Sequence, residues 1–152
     1  MTEGKASARI VADRLAWVCK MLSEIRALPL EDRDAFFSDR RNVWAAESCL
    51  RRALEALLDL GRHIAAKRFG QGVSEYKEIA QQLQERGVLL EREAVLLRLL
   101  AGYRNRLVHY YHEIGEEELY QICAERLGDV EQVAGALRQW ARDNPEALDR
   151  SL

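Results

Sequence analysis

Between Ala101 and His112 the chain gathers two arginines, an asparagine, two histidines and three tyrosines into twelve residues. Arginine offers five fixed donors in a fork that matches a phosphate bidentately. Histidine takes up or gives a proton near neutral pH. Arg104 with His109, lacking a carboxylate cage for a metal, suits phosphodiester cleavage without a metal ion. The imidazole would deprotonate a ribose 2′-hydroxyl or protonate the leaving oxygen, and the guanidinium would hold the phosphate and stabilise charge in the transition state. The same residues also have an ordinary structural use. Arginines near a helix end satisfy its dipole and terminal carbonyls, and tyrosines pack with a polar tip. On residue types alone the two readings stand level.

Helix geometry constrains the catalytic reading. At about 100° per residue, Arg104 and His109 lie about 140° apart, whereas Arg104 and Tyr111 differ by about 20°. For Arg104 and His109 to share one phosphate, the arginine must reach round, the helix must unwind before Gly115, or two subunits must build one cleft. Leu107 and Tyr110 would anchor the segment in the core, leaving Arg104, Val108 and Tyr111 on a flank open to a partner.

A second basic surface lies upstream. Between Arg40 and Arg68 there are seven Lys or Arg against three acids, Glu47, Glu55 and Asp59. Arg51, Arg62 and His63, with Arg106 from the polar segment, are the candidates for contacting a polyanion. The alternative is surface pairing, with Glu47–Arg51, Arg52–Glu55 and Asp59–Arg62 at helical spacing. His63 fits a packed helix-end histidine as well as a cleft residue. His112 precedes Glu113 and the acidic run Glu116–Glu118, which would repel RNA or form the acidic first turn of a helix. His109, His112 and Glu113 lack the H-E-x-x-H spacing, so no metal is expected. Gly70-Gln71-Gly72 lacks the lysine of a phosphate loop. There is no G-x-S-x-G elbow, and the cysteines have no base beside them.

These residues need a scaffold, and the apolar periodicity describes one. Ile10, Leu15, Val18, Leu22 and Ile25 recur at helical spacing and stop before Pro29, after an N-terminus expected to fray through residue 5. A link over 29–37 leads to Ser38 or Asp39, either of which can cap a long second helix reaching Arg68, where Gly70 breaks it. Ser74 is expected to cap a third helix over 75–86, ended by Gly87. A fourth begins near Glu91 with a seam of Leu96, Leu100, Tyr103, Leu107 and Tyr110. A fifth runs from Glu116 to Ala141, weakened at Gly128 and Gly135, and Asn144-Pro145 stops the pattern. No segment alternates with period two for long enough to read as a strand. Trp17, Trp44 and Trp140 sit at helical positions and are expected in the core. The pattern predicts an all-α antiparallel bundle of about five helices.

Composition sets the outer bounds. At 152 residues, 48% hydrophobic and 32% charged, the chain suits one domain, 1–152, and excludes disordered or low-complexity classes. Its apolar runs are too short to cross a bilayer and no signal peptide is evident. A net charge of −2 argues against a general nucleic-acid coat protein but leaves room for a local basic cleft. Cys19, Cys49 and Cys123 are odd in number, widely spaced and set in mostly apolar stretches. They are read as buried free thiols of a cytoplasmic protein.

The octet Arg104-Asn105-Arg106-Leu107-Val108-His109-Tyr110-Tyr111 resembles the R-x-x-x-x-H-x-Y motif of HEPN-domain toxins, specifically the HepT-like ribonucleases. The arginine- and alanine-rich second helix, the short helix before Gly87 and the final apolar helix extend the likeness over about residues 8–142. Tyr103 stands where phenylalanine is common, and Arg106 adds a charge. The resemblance implies a HEPN-like bundle and a metal-independent endoribonuclease toxin, homodimeric, with paired motifs forming a composite cleft. It implies that Arg104 and His109 cleave RNA, that Asn105 supports them, and that Tyr111 is modified with AMP by a cognate MntA-like nucleotidyltransferase antitoxin. ATP would serve that partner as AMP donor, and this chain would hold no cofactor. Three other readings stand beside it: a non-catalytic HEPN module binding nucleotide or partner, the antitoxin member of such a pair, and a structural dimerisation bundle.

Overall fold

The computed structural model describes residues 3–108 and 114–151. Its axis is the arginine- and alanine-rich stretch. The Asp39 carboxylate accepts a hydrogen bond from the Arg41 amide at 2.9 Å and caps α3, Arg40–Phe69. Gly70, at φ 66°, ends the helix in the left-handed region that glycine adopts without strain. Leu50, Leu54, Leu57, Leu58 and Ile64 of α3 are fully buried. Each contributes about 1.5–3 kcal/mol by the area it removes from water.

The other helices wrap this axis. Helix α1, Ala8–Arg26, is capped by the Ser7 hydroxyl and runs antiparallel to α3. Its start lies beside His63 and its end near Cys49. Helix α4, Tyr76–Glu85, packs against α3 and α5, Glu91–Val108. Helices α6, Glu116–Glu125, and α7, Leu127–Asp143, close the far side against α3, α5 and α1. Gly61 sets how closely α4 approaches. A Cβ there would stand 2.8 Å from Ile79 Cγ2 and 3.2 Å from Leu83 Cδ1, so only glycine leaves this space. That approach brings Tyr76 onto the rim of α3.

The all-α bundle matches the expectation, with seven α-helices among the described residues and several local corrections. The link after Pro29 holds a further short helix, α2, Arg33–Ser38, capped by Asp32. It exists to bury Phe36, which packs with Phe37 and Tyr120. The expected fifth helix is broken at Arg126, two residues before Gly128, and then runs unbroken through Gly135 to Asp143. Ser74 does not cap α4; Glu75 holds that position without a side-chain cap.

The N-terminal segment is anchored rather than frayed. The Gly4 amide donates to the Arg68 carbonyl at 3.1 Å, and Glu3 pairs with Arg68 at 2.7 Å. Ala6–Ser7 (β1) forms a two-residue parallel ladder with Leu148–Asp149 (β2), in register Ala6 with Leu148 and Ser7 with Asp149. Period-two reading cannot find so short a pairing.

Two further expectations change in ways that affect the site. On α5 the fully buried positions are Ala94, Leu97, Leu100 and Ala101, while Leu96, Tyr103 and Leu107 are only partly buried. The inner face is therefore rotated toward 97 and 101, and its next turn presents residue 104. Of the tryptophans only Trp140 is in the core; Trp17 and Trp44 are exposed. Cys123 is buried, Cys49 half-buried and Cys19 exposed, all as free thiols.

Candidate functional site

The rotated register of α5 gives Arg104 an unusual setting for a guanidinium. Its side chain is only 18% exposed, and its Nε lies 3.5 Å from Glu55 Oε1 on α3. Its guanidinium carbon sits 4.6 Å from the centre of the Tyr76 ring on α4, and it donates to Asn105 Oδ1 at 3.4 Å. Sequence spacing places Arg104 on an open flank. The structure instead holds it between two neighbouring helices, at the border of a cavity.

Tyr76 carries two arginines. Arg62 lies over the same ring at 4.5 Å, donates to the Val73 and Ser74 carbonyls at 3.1 and 3.2 Å, and pairs with Asp59 at 3.5 Å. The Tyr76 hydroxyl donates to Asp59 Oδ1 at 2.9 Å. Burial first, then this hydrogen bond and the Asp59 charge, push the phenol above its ordinary range, so it stays a neutral donor at physiological pH. Two cations on one ring therefore share a single anchor, fixed at its tip by a carboxylate.

Two cavities flank the Glu55–Arg104 pair. One, of about 690 Å³, is bordered by Arg62, Tyr76, Lys77, Arg104, Asn105 and Arg106. The other, of about 590 Å³, is bordered by Trp44, Arg51, Glu55, Arg106 and Val108 among others. Arg106 faces both while pairing with Glu118 at 2.6 Å. Arg51 pairs with Glu55 at 3.5 Å, on the same carboxylate oxygen that meets Arg104.

The structure thus brings Arg51, Arg62, Arg104, Asn105 and Arg106 to one region. It does not bring His63 there. The His63 Nε2 accepts the Ser7 amide at 2.9 Å, on a different face of α3 from its neighbour Arg62 and beside Lys67. Burial, with the charges of Lys67 and Arg14, lowers its pKa and keeps the ring a neutral acceptor. His109 and Tyr111 lie outside the described residues, as do His112 and Glu113.

Sequence reasoning missed Tyr76, Lys77, Trp44 and the Glu55–Arg104 pair. Glu55 had a signal, since residues 51, 55 and 62 share one face of an α-helix. Nothing in the local sequence links Tyr76 to an arginine twenty-eight residues later. Among the described residues no group of three or more His, Cys, Asp or Glu is placed to hold a metal ion. No described helix is long and apolar enough to cross a membrane.

Comparison with known proteins agrees with this architecture. Residues 18–137 match a family described as ribonuclease HepT-like. Among solved structures, the chain is similar to a tri-AMPylated HEPN toxin from Shewanella oneidensis in complex with its MNT antitoxin. That match has a TM-score of 0.76 and 20% identity over 86% of this chain and 97% of the other. It is similar to a toxin–antitoxin complex with AMP-PNP, with a TM-score of 0.74 and 19% identity over 84% and 97%. It is also similar to YutE, a cytosolic protein of unknown function from Bacillus subtilis, with a TM-score of 0.76 and 18% identity over 93% and 94%. No curated protein matches.

Proposed function

This chain belongs to the HepT-like ribonuclease family, and on that premise we propose that it is a metal-independent endoribonuclease toxin in which Arg104 and His109 cleave RNA. The observation that carries the reading is the setting of Arg104. A guanidinium 18% exposed, held by Glu55 and Tyr76 and edging a cavity with Arg62, Lys77 and Arg106, is a preorganised phosphate site. An arginine needed only to satisfy a helix end would not need an aromatic support on a separate helix. Asn105, whose Oδ1 accepts from Arg104, supports its orientation.

The chemistry follows from the residue types. His109 takes the proton of a ribose 2′-hydroxyl, the freed oxygen attacks the adjacent phosphorus, and the bond to the 5′ oxygen breaks. The leaving oxygen takes a proton, and the fragment ends in a 2′,3′-cyclic phosphate. Arg104 holds the phosphate and stabilises its added charge. The likeness to HepT-like toxins supports a homodimer in which paired motifs share a cleft. Arg51, Arg62 and Arg106 contact the flanking RNA. His63 is left out of that set because its ring is committed to Ser7.

Control comes from a cognate MntA-like nucleotidyltransferase that moves AMP from ATP to the Tyr111 oxygen, releasing pyrophosphate. The likeness to a tri-AMPylated toxin bound to its antitoxin supports this part of the reading. The phosphate adds negative charge and the adenosine adds bulk beside a basic cleft, which opposes RNA binding.

The mechanism is tested by comparing an RNA oligonucleotide with its all-2′-deoxy counterpart. The RNA is cut to fragments ending in 2′,3′-cyclic phosphate and the deoxy chain stays intact. Equal cleavage of both would remove the 2′-hydroxyl from the reaction and the proposed role of His109 with it.

A further inference from the structure

The two cavities flanking the Glu55–Arg104 pair differ in chemistry. The first is lined by Arg62, Lys77, Arg104 and Arg106 with Glu75, a set rich in phosphate donors whose arginines are held in place by Asp59, Glu55 and Glu118. The second presents Arg40, Arg51 and Arg106 against Glu47, Glu55 and Glu116, so its charges balance, and its distinctive feature is the indole of Trp44. That residue is 61% exposed. One exposed aromatic is unremarkable by itself. Trp44, however, lies within about 20° of Arg51, Glu55 and Arg62 around α3, so a single stripe runs from indole to guanidinium over about 27 Å. The Glu55–Arg104 pair stands within that stripe, between the two halves.

We propose that this stripe binds single-stranded RNA in two unlike halves, with a base stacked on Trp44 on one side of Arg104 and phosphates held by Arg62 and Lys77 on the other. The proposal rests on the ribonuclease reading above. Base stacking on an aromatic side chain tolerates any sequence, because every base has a π face. It does demand an unpaired base, since a base inside an A-form helix cannot lie on a side chain. Trp44 therefore selects single strands and sets how far the chain must extend beyond the scissile phosphate, while Lys77 contributes charge alone. These roles predict different responses to salt. A lost phosphate contact lowers the salt slope of binding, and a lost stack leaves the slope unchanged.

The test is fluorescence anisotropy with a short labelled 2′-O-methyl oligonucleotide, which the protein cannot cut, presented as a single strand and as a duplex. The parent should prefer the single strand. Trp44→Ala should weaken single-strand binding about ten-fold at an unchanged salt slope, with Trp44→Phe recovering most of the loss. Lys77→Ala should weaken binding and lower the salt slope by about 0.7. Unchanged affinity in a Trp44→Ala variant that still cuts RNA overturns the inference and leaves the ribonuclease reading standing. A change of molar mass in light scattering on Trp44→Ala overturns it too, by assigning the indole to a contact between copies. If the parent neither binds the probe nor cuts RNA, both readings fall together.

Discussion

Replacing Tyr76 by leucine removes the ring on which Arg62 and Arg104 both rest while keeping an apolar side chain at that position. A cation–π contact is worth about 0.5–1 kcal/mol when exposed and about 2 when desolvated. Arg62 is 39% exposed and falls at the low end, whereas Arg104 is mostly buried and falls higher. Leucine should thus cost about 1.5–3 kcal/mol from the two contacts. Loss of the bond to Asp59 adds about 1 kcal/mol, discounted because that carboxylate is partly solvated. Phenylalanine keeps the ring and loses only that last contribution. Because a misplaced catalytic group can cost about 10²-fold in rate, Tyr76→Leu should lower single-turnover RNA cleavage about that far. Tyr76→Phe should stay within a few-fold of the parent. Urea unfolding of both variants separates a loosened site from an unfolded chain. If the two variants cleave at the same rate, the ring is not what positions Arg104 and the reasoning fails.

The other predictions concern titration. His63 is held neutral in the folded chain, its pKa below the ordinary 6.5 because of burial and the nearby Lys67 and Arg14 charges. Below about pH 6.5 the unfolded chain takes up a proton that the folded chain resists, so stability falls as pH drops through the depressed folded value. His63→Gln keeps an acceptor for the Ser7 amide and should flatten that slope in urea melts between neutral and mildly acid pH. An identical slope in the variant would assign the pH dependence elsewhere. Among the cysteines, burial pushes the Cys123 thiol up to about 12, and burial also raises Cys49, while Cys19 is exposed. Iodoacetamide on the native protein should label Cys19 first and Cys123 only after denaturation, as read by peptide mass mapping. Early labelling of Cys123 would contradict the packing of α6.

The scaffold was readable where one residue type has one physical use. Asp39 as a cap, Gly70 and Gly87 at positive φ and the stop at Asn144 all follow from local backbone chemistry. The register of α5 was harder, because residues 94–101 contain two competing apolar stripes. The large leucines favour one of them, and the stripe that packs uses Ala94 and Ala101, whose small size lets neighbouring helices approach. That one-position rotation turns Arg104 from a flank residue into a mostly buried one. The Gly4–Arg68 and Ala6–Leu148 contacts join distant parts of the chain and leave no local pattern. Trp44 illustrates the same point in reverse. Helical spacing says which face it shares, and only the packing of α3 shows that this face borders a groove.

The proposed reaction needs Arg104 and His109 together and no metal. It is tested most directly by assaying RNA cleavage in EDTA for the parent, Arg104→Ala and His109→Ala, with each variant shown to be folded. The parent should cleave, and both variants should lose cleavage. Cleavage that survives in both variants, or that the parent loses on chelation and regains with a divalent metal, would contradict it.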